Sequence, residues 1–129
     1  MVRRLLLAAV LLALTAPAAS AAPLAGTEWR FTTVGGEPVP SDHPADLAFR
    51  RNGNAGGRND CNRYGGTYRA RGSRLRFSRL TSTLVGCEGA GDPPDVLGAL
   101  QRTRAYRRTA RRLVLLDRRG RQLARLRRR

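Results

Sequence analysis

The sequence predicts a mainly β fold, a small antiparallel barrel-like sheet of seven or eight strands with one short helix, after an N-terminal signal peptide. Three observations support this prediction. Short segments of alternating apolar and polar residues are separated by glycine, proline and asparagine turns along most of the chain. One segment near residue 96 has helical periodicity instead. Two cysteines in polar, glycine-rich sequence offer one covalent link.

The first 21 residues have the features of an export signal. Arg3 and Arg4 form a positive start, residues 5–14 form an apolar run, and a small-x-small cleavage site ends at Ala21. Ten residues of helix cover about 15 Å and a bilayer core about 30 Å, which argues against a membrane anchor. The positive region is very short, so the choice between general and twin-arginine export stays open. We expect cleavage near Ala21 and a secreted or extracytoplasmic location in the cell envelope.

The first strands follow the leader in a regular series. Residues 28–34 alternate with a period of two, and a glycine- and proline-rich loop follows. Leu47 and Phe49 alternate in the next strand. Residues 51–54, Arg-Asn-Gly-Asn, predict a hairpin turn because asparagine and glycine tolerate positive φ. The glycine-rich segment 56–62 predicts β-bulges.

Two further strands and a helix occupy the middle of the chain. A turn at residues 72–73 leads into the strongly alternating strand 74–78, and threonine-rich residues 80–85 predict a separate strand. Asp92 is the predicted N-cap of the helix, with two prolines in its first turn. The apolar stripe of this helix and the arginines at its C-terminal end are Val96, Leu97, Leu100, Arg102 and Arg104.

The last third of the chain predicts a hairpin and a final strand. Residues 105–108 and 113–117 form the hairpin, although their connection lacks the usual glycine, so a helix continuing through Arg112 is the alternative. A glycine turn leads into a strand over residues 122–126. Residues 127–129 form a basic end that we expect to fray.

The cysteine count predicts one disulfide, between Cys61 and Cys87. In an exported chain, two cysteines indicate a bridge and not a metal or redox site. The bridge closes a loop of 27 residues, counting both ends. Such a link contributes about 3.5 kcal/mol in the chain-entropy treatment.

The positive charge of the chain is concentrated at its C-terminal end. Every basic residue is arginine. Residues 22–97 hold ten arginines and eight acids, whereas residues 98–129 hold thirteen arginines and only Asp117, a net charge of +12. Arginine bias in GC-rich coding would explain this as a solvated basic face. Attraction of polyanions through bidentate phosphate contacts is the functional alternative.

The candidate polyanion-binding residues are Arg107, Arg108, Arg111, Arg112, Arg118, Arg119, Arg121, Arg125, Arg127, Arg128 and Arg129. No aromatic residue follows Tyr106, so a base-stacking platform is absent there. The expected partners of these arginines are therefore an anionic polymer or a lipid surface, without specific nucleic-acid recognition.

Signals for catalysis are weak. The single histidine, His43, precedes a proline in a predicted loop, and we expect it to be solvated. No histidine–cysteine cluster has metal-ligand spacing, and no phosphate-binding glycine loop links a strand to a helix. The carboxylate pairs Asp92/Asp95 and Asp60/Glu88 are explained by capping and solvation. We expect no catalytic residues, no metal and no cofactor.

Four motifs resemble the META domain, the family of the heat-shock protein HslJ. They are Gly26-Thr27-Glu28-Trp29, the segment from Cys61-Asn62-Arg63-Tyr64 to Tyr68, the segment 83–87 ending at Cys87, and the segment 113–120. The resemblance covers about residues 24–126, and we assign the domain to residues 22–126. Asp60 replaces a frequent glycine, Leu84 a frequent arginine, and Asp95 stands near a frequent glutamate.

The resemblance implies an antiparallel barrel with one helix, in exported or envelope proteins linked to heat stress and novobiocin tolerance. The family has no established catalytic activity, so the resemblance assigns no catalytic residues to this chain. It implies a non-enzymatic binding or accessory protein whose partner is an unidentified envelope protein or small ligand. An electrostatic adhesion module is the second hypothesis, and a hydrolase using His43 is the third.

One cluster remains ambiguous between architecture and ligand binding. Asparagine beside a bridged cysteine holds tight bends by bonding backbone groups, but it could also face a ligand. Aromatic residues of such a barrel are expected to line its core, with a small apolar ligand in the barrel mouth as the alternative. The cluster comprises Asn62, Arg63, Tyr64, Tyr68 and Trp29.

Overall fold

The computed structural model describes residues 8–14, 23–89 and 91–129. The greater part of the predicted leader, with its cleavage site at Ala21, lies outside these residues. The strands are β1 Thr27–Val34, β2 Glu37–Pro38, β3 Asp46–Phe49, β4 Asn54–Asn59, β5 Asn62–Arg71, β6 Arg74–Ser82, β7 Ala105–Arg108, β8 Arg112–Leu116 and β9 Gln122–Arg128. Helix α1, Val96–Arg102, lies between β6 and β7 in the chain.

Eight of these strands form a closed antiparallel barrel. They follow one another in the order β1-β3-β4-β5-β6-β7-β8-β9, and β9 pairs with β1 to close the sheet. The two-residue strand β2 adds to the end of β1. Closure leaves none of the eight strands as a free edge that could pair with another chain. The predicted fold class is confirmed.

The helix packs at the weakest seam of the barrel. Strands β6 and β7 share only the register pair Arg74 and Ala105. Helix α1 lies against β6 and buries Val96, Ala99 and Leu100. The predicted N-cap was wrong, because the side chain of Asp95, and not of Asp92, accepts the N–H of Gly98 at 2.9 Å. Asp95 is the residue directly before the first helical turn, where a carboxylate reaches the free N–H groups.

The region around β5 and β6 differs from the prediction in two ways. Residues 74–82 form one strand, so the expected separate strand at 80–85 was wrong. Strand β4 pairs with β5 in unbroken register, whereas the bulge lies between β5 and β6, where Arg79 and Leu80 oppose Gly66. A Cβ atom on Gly66 would lie 2.6 Å from the carbonyl oxygen of Ser78, so the bulge requires glycine there.

The C-terminal end is part of the barrel. The hairpin of β7 and β8 is confirmed, and the alternative of a helix through Arg112 was wrong. Strand β9 runs to Arg128, and the backbone N–H of Arg129 donates to the carbonyl of Glu28. The expectation of a frayed end over residues 127–129 was therefore wrong. Pairing with β1 orders these residues, and this long-range partner is invisible to local sequence patterns.

Aromatic and aliphatic side chains fill the barrel interior. Trp29 and Phe31 on β1 are buried, and Phe31 lies opposite Leu126 on β9, which in turn lies opposite Leu113 on β8. The ring of Phe49 packs edge-on against that of Tyr68, with centroids 5.0 Å apart. Tyr68 is the only half-buried member of the aromatic set expected in the core, whose buried members are Trp29, Phe31, Phe49, Tyr64 and Phe77.

Candidate functional site

The disulfide loop is built from internal contacts. Cys61 and Cys87 form the predicted disulfide, with their Cα atoms 5.5 Å apart. The side-chain oxygen of Asn62 accepts the N–H of Val85 at 2.7 Å and the hydroxyl of Thr83 at 2.9 Å. Its amide nitrogen donates to the carbonyl of Val85 at 3.0 Å. Both ends of the Asn62 side chain therefore hold segment 83–87 against β5, which is an architectural role.

A carboxylate organises the neighbouring part of the barrel wall. The Asp46 side chain accepts the N–H of Arg58 at 2.8 Å and pairs with the guanidinium of Arg129 at 3.3 Å. The hydroxyl of Tyr64 donates to the Asp46 carbonyl at 2.6 Å. Burial and then the charge of Asp46 raise the pKa of Tyr64 above its ordinary value, so the phenol stays protonated. These groups satisfy one another, and Arg129 of the candidate polyanion set is already paired.

The ambiguous cluster does not converge on one site. Arg63 and Trp29 both border a shallow cleft of about 310 Å³ on the outside of β1, β3, β4 and β5. Tyr64 is buried in the wall, and the hydroxyl of Tyr68 donates to the carbonyl of Arg50 at 2.8 Å. Asn62 contacts the disulfide loop instead. The hydrogen bonds of these residues support an architectural role for most of the cluster.

Two arginines of the candidate polyanion set cover Trp29. The guanidinium carbons of Arg108 and Arg128 lie 5.1 and 5.5 Å from the centroid of its ring, within cation–π distance. Burial, followed by the nearby charge of Arg128, lowers the pKa of Arg108. Arg108 also donates to the carbonyls of Pro23 and Thr109. Both side chains cover the Trp29 ring at this end of the barrel core.

The single histidine is buried, so the expectation of a solvated loop histidine was wrong. His43 is 2% exposed, and its Nδ1 lies 2.6 Å from a carboxylate oxygen of Asp60, which is also buried. Asp60 has a φ of 58°, in the left-handed region that glycine adopts easily. The replacement of the family's glycine by Asp60 thus keeps the bend before Cys61 and adds a partner for the histidine. Nothing in the sequence around His43 indicated this pairing.

Three exposed arginines stand side by side on the outer surface of the barrel. Arg127 on β9 lies directly opposite Arg30 on β1 and directly opposite Arg112 on β8. Their neighbours along each strand, such as Trp29 and Leu126, face the core, so these three face solvent. We call Arg30, Arg112 and Arg127 the arginine face.

The guanidiniums of the arginine face form no ion pair in the described part of the chain. None of these three side chains takes part in a hydrogen bond there, and only the backbone N–H of Arg112 bonds a side chain, the hydroxyl of Thr109. Asp46 lies opposite Arg30 in the sheet, but its carboxylate is engaged by Arg58 and Arg129. The face therefore presents three adjacent, uncompensated guanidiniums to solvent.

The other arginines of the candidate set are distributed around this end and the β8–β9 turn. Arg107 and Arg125 lie outward on β7 and β9 on either side of Val114, and Arg111 is exposed in the β7–β8 connection. Arg121 pairs with Asp117 at 2.9 Å. The backbone N–H of Arg121 is the main cause that lowers the pKa of Asp117. Arg118 and Arg119 are exposed in the same turn.

A second basic surface was missed from the sequence. A groove of about 1300 Å³ runs over the outside of β5 and β6 toward the start of β7 and the β8–β9 turn. We call it the arginine groove. It is lined by seven arginines, Arg69, Arg71, Arg74, Arg76, Arg79, Arg104 and Arg118, together with Asp117. The alternation of arginine with apolar residues over 74–77 was a usable signal, but it was interpreted only as a half-buried strand.

Other kinds of site find no support in the described ranges. Residues 8–14, 23–89 and 91–129 contain no group of three or more histidine, cysteine, aspartate or glutamate side chains that could hold a metal ion. Within the same ranges, no helix combines the length and the apolar character that a membrane crossing requires.

Comparison with solved structures supports the fold. An NMR structure of a protein from Burkholderia xenovorans is similar at a TM-score of 0.61 and 26% identity, over 82% of this chain and 83% of that chain. A second protein solved by NMR is similar at a TM-score of 0.61 and 24% identity, over 79% and 89% of the two chains. The second likeness supports the fold alone.

Comparison with known sequences identifies the family. Comparison with curated proteins gives no significant match. The family model described as META domain matches residues 22–129, which is all of the sequence after the predicted leader. Together with the closed barrel, its single helix and the predicted motifs, this match shows that the chain belongs to the META domain family.

Proposed function

We propose that the protein is an exported, non-enzymatic binding module of the cell envelope, and that it binds anionic polymers through the arginine face. The disulfide is consistent with an extracytoplasmic location, because such bonds persist in oxidising compartments. The leader-like residues 1–21 support export. A role in stress tolerance belongs to the same proposal, since it rests on the family resemblance.

The observation that carries this proposal is the register of Arg30, Arg127 and Arg112. Like charges directly opposite each other in a sheet destabilise the fold by up to about 1 kcal/mol per pair. Coding bias accounts for the abundance of arginine, but it does not account for three guanidiniums aligned across β1, β9 and β8 without a counter-charge. An external polyanion would remove the repulsion and gain bidentate, charge-assisted hydrogen bonds.

The hydrolase hypothesis is less well supported. The ring of His43 is buried and its Nδ1 is bonded to Asp60. These contacts favour a structural role for the histidine at the bend before the disulfide. The META family supplies no catalytic residues. We therefore keep the non-enzymatic function.

The test is retention of the purified protein on immobilised heparin, a linear polyanion. Removing residues 118–129 is unsuitable because β9 closes the barrel, so we use the double variant Arg112→Gln/Arg127→Gln. The matched control is Arg51→Gln/Arg102→Gln, which removes the same charge from the β3–β4 turn and from the end of α1. We expect the face variant to elute at clearly lower salt than both the wild type and the control.

The salt dependence sharpens this test. Each phosphate or sulfate contact contributes roughly 0.7 to the slope of log K against log salt for a flexible polyanion, so losing two contacts lowers the slope by about 1.4. Equal elution of the face variant and the control would mean that only total charge matters, and the proposal would be wrong.

A further inference from the structure

We propose that the arginine groove is a second, separate binding site, and that it takes a linear polymer bearing phosphate groups, so that one molecule holds two polymer segments. This inference rests on the proposed function for the choice of ligand. It concerns a surface that contains only Arg118 of the candidate polyanion-binding arginines.

The groove holds a regular array of guanidiniums. Arg69 on β5 lies directly opposite Arg76 on β6, and Arg71 lies opposite Arg74. Residues two apart on a strand are roughly 6.7 Å apart, so the four side chains form two rows on neighbouring strands. No hydrogen bond or ion pair within the described residues holds these four guanidiniums.

The bulge in β6 adds a fifth arginine at a conformational cost. Arg79 has a φ of 54°, a left-handed conformation that is unfavourable for a residue with a side chain. Bulges re-aim side chains and are frequent beside functional sites. Here the bulge, made possible by Gly66, brings Arg79 to the lining of the groove. The bulge thus places another cation among like charges in the groove.

The acid in the groove does not neutralise it. The carboxylate of Asp117 accepts the backbone N–H groups of Arg119 and Arg121 and pairs with the Arg121 side chain. One guanidinium nitrogen of Arg104 donates hydrogen bonds to the carbonyls of Gln101 and Thr103 at the end of α1. The remaining guanidiniums are therefore available to an external anion.

The chemistry of the lining favours phosphate over nucleobases. Tyr68 is the one aromatic residue in the lining of the groove; its ring packs on Phe49 and its hydroxyl is bonded to Arg50. Stacked bases need exposed aromatic faces. The hydroxyls of Ser73 and Ser78 accompany the arginines and can donate to phosphate oxygens.

The groove and the arginine face are separate in space. Around the barrel, β7 lies between β6 and β8 on one side, and β3 and β4 lie between β5 and β1 on the other. Along the barrel, Arg112 begins β8 whereas Arg118 follows its end, and five residues of strand cover about 17 Å. A short anion cannot bridge the two surfaces, so each binds its own segment.

The experiment is calorimetric titration of the purified protein with a linear oligophosphate too short to reach both surfaces. We compare the wild type, the groove variant Arg69→Gln/Arg76→Gln, the face variant Arg112→Gln/Arg127→Gln and the four-fold variant. We expect two oligophosphates per chain for the wild type, one for each double variant and none for the four-fold variant. Thermal unfolding of each variant checks that the fold is intact.

The outcomes separate the two proposals. One site in the wild type, lost in the face variant and kept in the groove variant, would overturn the second site and leave the proposed function standing. Two sites retained in the groove variant would equally exclude the groove. No binding by the wild type would overturn the proposed function and this inference together.

Discussion

Polar groups on the disulfide side of the barrel have hydrogen-bond partners inside the fold, whereas most guanidiniums on its two arginine surfaces do not. Beside Cys61, the side chains of Asn62 and Asp60 each bond a named internal partner. On the arginine face and in the arginine groove, like charges stand in register without one. A polar group with its partners inside the fold serves architecture, whereas an aligned, uncompensated charge points to a partner outside it.

The largest expected effect tests the architectural side. Replacing both Cys61 and Cys87 by alanine frees the 27-residue loop in the unfolded chain and should lower the free energy of unfolding by about 3 kcal/mol. Urea unfolding of the variant and of the wild type with and without a reductant measures this. A loss below about 1 kcal/mol would mean that Asn62 and the barrel hold the loop without the covalent bond.

The next effect concerns the departure from the family at residue 60. Asp60→Gly relieves a left-handed residue but removes the carboxylate that bonds the Nδ1 of the buried His43. We expect a net destabilisation of about 1–3 kcal/mol, because losing this buried, charge-assisted hydrogen bond costs more than the backbone gains. Urea unfolding at constant pH tests it. Increased stability of Asp60→Gly would show that the pair is dispensable for the fold.

A smaller loss is expected at Asn62. The variant Asn62→Ala removes three hydrogen bonds to Thr83 and Val85 in a partly exposed loop, which should cost about 1–2 kcal/mol. Faster amide exchange of Val85 should accompany it. The control Asn52→Ala loses one bond to the N–H of Asn54 in an exposed turn and should change little. Equal effects of the two variants would contradict the architectural role.

The smallest expected effect is an increase in the free energy of unfolding. Arg127→Gln removes the repulsion with Arg30 and Arg112 and should stabilise the fold by about 0.2–1 kcal/mol at low salt. The gain should shrink at high salt, where the charges are screened. Urea midpoints at two salt concentrations measure it. Destabilisation at low salt would mean that Arg127 has an internal stabilising role, and the comparison between the two regions would fail.

Local patterns predicted most of the fold. The alternation around Trp29 and over residues 74–78, the asparagine–glycine turn at 52–53 and the arginine-rich hairpin before Asp117 all appear as expected. Two errors fall where a distant partner decides, because Arg127 and Arg128 are ordered by β1 and the bulge lies in the β5–β6 pair and not in β4. The error in the helix cap, Asp95 in place of Asp92, is local.

Some features of the candidate site could likewise be predicted from the sequence, and others depended on the tertiary structure. The cysteine pair and the abundance of arginine are properties of composition, and the sequence alone determined them. Which arginines align, which cover Trp29 and which pair with acids depends on strand register. Register is set by barrel closure between residues almost a hundred positions apart, so only the tertiary structure decided where the unbalanced charge lies.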